Sequence, residues 1–286
     1  MALSTHSLYR LPRALAEATR RFNRKGGWVM SSHVAMSMLL ALFPFILFVV
    51  ALAGALTSNV QLDDLIELVF GSWPEKIEEP ITAEVRAVLG ERNGRLLTVG
   101  GALTLIFASN GVDAIREAMT KAYRGTDPRP FWRRRLLCLI FVLVGAVVVL
   151  AAAVFGLAAP LYFRFVSDTA PQLYGILFSN DFLRTVFTMS LLLLGVTACH
   201  LWLPGYRRPA AQIWPGIALT VGCWLAAADA FSIYLSRFAT YTATYAGLAG
   251  AMSALIFLYL MSAILILGAE LNGALGQGDD DTPGAP

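Results

Sequence analysis

Six stretches of this chain are apolar enough to cross a bilayer, and nearly every charge falls between them. They cover residues 31–56, 96–112, 136–159, 183–203, 213–233 and 247–271. A hydrocarbon core of about 30 Å takes about 20 helical residues at a rise of 1.5 Å each. Five stretches reach that length, and the second is marginal. The expected fold is therefore all-α: a polytopic membrane protein with six transmembrane helices in one bundle, plus amphipathic interfacial helices.

Composition agrees. Hydrophobic residues make up 57% of the chain and charged residues 14%, with a mean hydropathy of +0.64. A soluble domain carries about 25% charge. With 286 residues largely consumed by spans and connections, no room remains for a separate soluble enzyme domain.

Lysine and arginine set the expected orientation. The segment before the first span, the segment between spans two and three, and the fourth connection together hold 15 of the 22. Arg129, Arg133, Arg134 and Arg135 fall on that basic side only if residues 96–112 cross. By the positive-inside rule, six crossings then put both termini in the cytoplasm of a bacterial inner membrane. The first apolar run is too long for a signal peptide and has no small-residue cleavage site.

The polar segments predict further organisation. Residues 1–30 form a basic amphipathic segment in which Leu11, Ala14, Leu15, Ala18 and Phe22 oppose Arg13, Arg20, Arg21 and Arg24. Such a helix lies on a leaflet with anionic headgroups as partners. No interleaved aromatics or binding motif points to nucleic acid. The membrane domain covers residues 31–275. Its outer connection, 57–95, carries two apolar stripes at helical spacing, and 276–286 reads as a disordered acidic tail. Cys138, Cys199 and Cys223 lie inside spans without metal-ligand or disulfide spacing, so they read as packing residues.

Several strings resemble a known family. They are Leu42-Phe43-Pro44, the run Ala108 to Ala114 containing Asn110, Gly111 and Asp113, the run Phe231 to Tyr234, the run Tyr241 to Tyr245, and the closing Gly268-Ala269-Glu270-Leu271-Asn272. Together they resemble the YihY/virulence factor BrkB family over about residues 20–275. The chain departs from the family's common Tyr-Gly at Tyr245-Ala246. The resemblance implies a bacterial inner-membrane protein with six helices, cytoplasmic termini and an envelope role. An old ribonuclease BN label also attaches to the family.

Ionisable groups inside spans are expensive, so each is a functional candidate with an expected partner. Depth along straight helices predicts an inner polar cluster of Asn110, Asp113, Arg116, His200, Glu270 and Asn272. It predicts an outer one of Asp229, Tyr234, Arg237, Tyr241 and Tyr245. Glu270 reads either as locked to Arg116 or another cytoplasmic-side cation, or as a group serving a transported species. Small residues four apart, as in Ala218 and Gly222, Ala226 and Ala230, or Ala269 and Gly273, predict close packing of spans five and six.

Enzymes fare poorly on these residues. The three histidines show no His-x-x-x-His or His-x-Glu, and no Gly-x-Ser-x-Gly or phosphate-cradling loop occurs. No catalytic residue, cofactor or metal is expected. The reading is a transporter or lipid-handling factor of the cell envelope, with a non-transporting scaffold as rival and an intramembrane enzyme a distant third. Self-association is left open. A transporter should have a pocket reaching Asp229 or Glu270.

Overall fold

The computed structural model describes residues 5–56, 82, 94–123, 126–169, 180–205, 210–238 and 248–280. Among them it forms seven helices: α1 (Thr5–Arg24), α2 (Gly27–Leu56), α3 (Gly94–Tyr123), α4 (Phe131–Thr169), α5 (Asn180–Trp202), α6 (Ala210–Phe238) and α7 (Leu248–Asp280). The all-α polytopic architecture stands. The expected outer helices within 57–95 lie almost wholly outside the described residues, as do Tyr241 and Tyr245.

Five helices, α2, α4, α5, α6 and α7, are long and apolar enough to cross a membrane. The second expected span is not among them. Its helix α3 has 30 residues, but the apolar run within it is short and lies between Arg95 and Asp113. α7 continues to Asp280, so the start of the expected disordered tail is helical. Gly276 and Gly278 weaken a helix but still donate their amide hydrogens. The helices also run unbroken through Pro44, Pro160 and Pro215.

The exterior is that of a protein dissolved in hydrocarbon. Val29, Met36, Leu40, Val144, Val147, Leu194 and Met252 are exposed, whereas the buried positions include Ala35, Ala146, Ala263 and Ala269. Large residues outward and small residues inward let helix backbones approach closely. Trp28, Trp132, Trp202 and Trp214 are also exposed. They sit near the N-terminal ends of α2, α4 and α6 and at the last turn of α5, the pattern of an interfacial aromatic belt. Arg133 lies 5.2 Å over the Trp132 ring.

The chain divides into two compact units, and α2, α3, α4 and α5 contribute residues to both. Unit 2 comprises residues 40–112 and 135–191. Its core joins Ile46, Val49 and Val50 of α2 to Ala146 and Leu150 of α4. Unit 1 comprises residues 1–39, 113–134 and 192–286 and holds all of α1, α6 and α7. Its apolar cluster joins Val196 of α5 to Ile213, Ile217 and Val221 of α6.

In unit 1, α6 packs on α7 through Gly216, Thr220 and Gly268. A Cβ on Gly268 would overlap the Thr220 hydroxyl and the Gly216 carbonyl. The row expected to do this packing, Ala218, Gly222, Ala226 and Ala230, is exposed. Two residues at 100° each turn the helix by about 200°, so the Gly216 row and the Ala218 row occupy opposite faces. Periodicity identified the spacing but not the face. Ala269 and Gly273 are buried, and a Cβ on Gly273 would come within 3.1 Å of the Ala122 carbonyl.

Gly268→Leu is expected to lower the thermal midpoint of detergent-solubilised protein, since the overlap falls partly on backbone that cannot rotate away. Overpacking of this kind costs about 1–3 kcal/mol. Gly222→Leu, on the open face, should leave the midpoint nearly unchanged.

Candidate functional site

The expected inner cluster resolves into separate groups. The first is built around Glu270, which is 1% exposed in the apolar body of α7. A carboxylate there must keep cations. Arg21 Nε lies 3.2 Å away and Lys25 Nζ 2.9 Å away. The same ammonium donates to the carbonyls of Lys121 and Ala122 at the end of α3. Its donors are thus distributed over a carboxylate and the carbonyl end of a helix, where the dipole favours positive charge. One carboxylate therefore gathers α1, α3 and α7.

The partners are Arg21 of α1 and Lys25 just beyond its end, rather than Arg116. Arg21, expected on the exposed basic face of α1 opposite Ala18 and Phe22, is instead 5% exposed. Its spacing from Ala18 and Lys25, three and four residues, puts it on the stripe that turns toward α7. That spacing was the available signal.

The second group centres on Asn272, which is fully buried. Pro215 supplies no amide hydrogen to α6, and the next amide, Gly216 N–H, donates to Asn272 Oδ1 at 2.7 Å. Asn272 Nδ2 donates to the Ile213 carbonyl and to the Tyr123 hydroxyl, both at 2.9 Å. That hydroxyl, already accepting, gives its own hydrogen to His200 Nδ1 at 2.7 Å. This pattern assigns the His200 hydrogen to Nε2, a buried atom without a partner among the described residues. His200 is thus the end of a hydrogen-bond chain that caps a proline-opened turn.

The third group joins α3 to the connection after it. Arg116 binds Asp113 at 2.7 Å and Asp127 at 2.8 Å. Asp127 is also gripped by Arg129, which reaches on to the carbonyls of Trp202 and Leu203. Burial alone would raise the Asp127 carboxyl, but hydrogen bonds from Arg129 and Arg116 outweigh it and hold its pKa below the ordinary 3.8. For Arg116, burial pulls downward and the two aspartates win, so its pKa is raised. Tyr123, Asp127 and Arg129 were not singled out in advance, because nothing in their spacing marks them as partners of Asn272 and Arg116. Asn110 belongs to unit 2, where its side chain accepts from Arg135 at 2.9 Å.

Of the expected outer cluster, Asp229 and Tyr234 lie on exposed positions of α6. Asp229 has no hydrogen bond or ion pair with any described residue. Tyr234 stacks on Phe231, which packs against Phe257 of α7. The backbone of Arg237 continues α6.

Unit 1 also carries a lateral groove. Val29, Ser32, His33, Ala35 and Met36 of α2 form one wall, and Leu255, Ile256 and Tyr259 of α7 the other, around about 550 Å³. Trp28 is held at its end, stacked on Tyr259 at 6.1 Å and edge-on to Phe22 of α1 at 5.0 Å. The groove reaches neither Glu270 nor Asp229.

A family model described as virulence factor BrkB matches residues 18–285. A Bacillus subtilis (strain 168) protein named ribonuclease-like protein YfkH is 28% identical over 91% of this chain and 94% of its own. A UPF0761 membrane protein of Alteromonas mediterranea is 21% identical over 87% of this chain and 83% of its own. One from Aeromonas salmonicida is 26% identical over 90% and 87%. No solved structure matches.

Two outcomes test the polar groups. Glu270→Gln leaves Arg21 without its counter-charge and is expected to cost about 3–5 kcal/mol, read as a lower thermal midpoint. Replacing Arg21, Lys25 and Glu270 together by apolar residues should recover most of that loss. For Asp127, a depressed folded pKa means its stabilisation is present above the ordinary 3.8 and is lost as pH falls through the folded value. The midpoint gap between wild type and Asp127→Asn should therefore close on acidification. A gap that stayed constant would remove the charge-based account.

Proposed function

The chain belongs to the virulence factor BrkB family, and on that premise we propose that it handles lipids of the bacterial cell envelope, admitting an acyl chain sideways between α2 and α7. The observation that carries this reading is the α2/α7 groove. It is apolar, open to the side, and bordered by the exposed Val29, Met36 and Ile256. A cavity of this kind is reached from hydrocarbon rather than from water.

In this reading the protein lies in the inner membrane with both termini cytoplasmic, and α3 makes the sixth crossing. The Lys and Arg asymmetry and the tryptophans at one end of unit 1 support that placement. Exposed Arg13, Arg20 and Arg24 of α1 face anionic headgroups. The three polar groups serve structure rather than catalysis: Glu270 is satisfied by cations and Asn272 by backbone and hydroxyl groups. That commitment to partners within the protein is also what favours the rival, a non-transporting scaffold.

Proteoliposomes carrying fluorescent phospholipid separate the two. Protein should speed exchange of the lipid between leaflets, read by quenching from outside, and Ile256→Trp, which fills the groove, should reduce the rate at least to about half. Exchange equal to that of protein-free liposomes, or unaffected by filling the groove, would favour the scaffold.

A further inference from the structure

Two hydrogen-bonding side chains in the α2/α7 groove are uncommitted. Ser32 lines it but donates to the Val29 carbonyl at 2.9 Å, and Trp28 at its end donates to Asn23 at 2.9 Å. The His33 imidazole on one wall and the Tyr259 hydroxyl on the other make no hydrogen bond with any described residue. The rest of the lining, Val29, Ala35, Met36, Leu255 and Ile256, is apolar. Polar groups in an apolar groove at membrane depth need partners, and the protein supplies none for these two.

Their depth and chemistry define the partner. His33 lies on α2 five residues beyond the exposed Trp28, about 7.5 Å along the axis at 1.5 Å per residue. Tryptophans of an interfacial belt sit at headgroup level, so His33 lies beneath the headgroups, where acyl chains begin. Side chains lean toward the N-terminus of their helix, which carries His33 back toward Trp28. The Tyr259 ring stacks on that tryptophan at 6.1 Å. Because α7 runs from Tyr259 outward to Glu270, which meets Lys25 ahead of α2, the same lean carries Tyr259 inward toward His33. No lysine, arginine, aspartate or glutamate lines the groove, so its wall has nothing to balance a charge and no means of sorting headgroups by charge. Imidazole and phenol can each donate a hydrogen. The complementary group is an uncharged acceptor at the root of an acyl chain.

We infer that His33 and Tyr259 together hold the ester carbonyl of a diacyl glycerolipid whose chain lies in the α2/α7 groove. This assignment rests on the lipid-handling reading and specifies what the groove recognises, which is the ester linkage and not the headgroup. A carbonyl oxygen has two lone pairs, so it accepts a ring N–H from α2 and the phenol O–H from α7, while Met36, Leu255 and Ile256 enclose the first part of the chain.

The full protein in nanodiscs is exposed to photoreactive diester phosphatidylcholine or to its diether analogue, which keeps headgroup and chain length but lacks the carbonyls, at equal mole fraction. Labelling should fall on α2 and α7 peptides and favour the diester at least about fivefold, the ratio that corresponds to about 1 kcal/mol, one net hydrogen bond. His33→Leu combined with Tyr259→Phe, which keeps the ring on Trp28, should bring diester labelling down to the diether level and leave the diether unchanged. Diester phosphatidylglycerol should label as strongly as diester phosphatidylcholine, and Ile256→Trp should suppress every lipid. If wild type takes diester and diether equally, if the double variant keeps the diester preference, or if labelling follows the headgroup instead, while Ile256→Trp still blocks it, the ester assignment fails and the groove reading survives. If wild type is not labelled at the groove, or a bifunctional cross-linker joins it there to a second copy of itself, both fail.

Discussion

A carboxylate buried in an apolar helix is tolerable only while its counter-charges stay with it. Glu270 meets that condition by drawing in Arg21 and Lys25, and because Lys25 also holds the carbonyl end of α3, the condition spreads beyond a single pair. The arrangement says little about net stability, since desolvating three charged groups offsets much of their attraction. What it does provide is exclusivity. A shift in the register of α1 on α7 would draw the cations away from the carboxylate, whereas this register pairs all three.

Glycine and asparagine do the complementary work between α6 and α7. Gly216 and Gly268 remove the side chains that would hold the backbones apart, and Asn272 then reaches the Gly216 amide beside Pro215. Close approach and polar satisfaction depend on each other here: a larger residue at Gly268 would also carry Asn272 away from its partners. The hydrogen bonds from Asn272 to Tyr123 and on to His200 extend the same arrangement to α3 and α5.

Much of this was readable from the amino-acid order. Hydropathy located the five long apolar helices, and the position of Glu270 near the end of its span called for a cationic partner. The identity of that partner was not readable, because a helix period gives a face and not the neighbour it meets. Arg21 shows this: it belongs to a basic helix by composition, but to the buried stripe by its spacing from Ala18 and Lys25. The small residues of α6 show it again, with two rows of suitable spacing on opposite faces and only one used. His33 was passed over because its sequence neighbours offer no ligand spacing. Only the groove formed with α7 gives it a context.

The distance along the chain between Lys25 and Glu270 has a consequence for biosynthesis. The two residues that meet in this lock are separated by 245 positions. At about 5–20 residues per second, the cations of α1 leave the ribosome about 10–50 s before their carboxylate. Through that interval Arg21 and Lys25 have water and lipid phosphates as company, which suits a helix able to rest on a leaflet. The lock then closes only once α7 has been made, so a chain cut short before α7 lacks the buried carboxylate and leaves Lys25 only the α3 carbonyls. Full docking of α1 is in this sense a mark that α7 has been made.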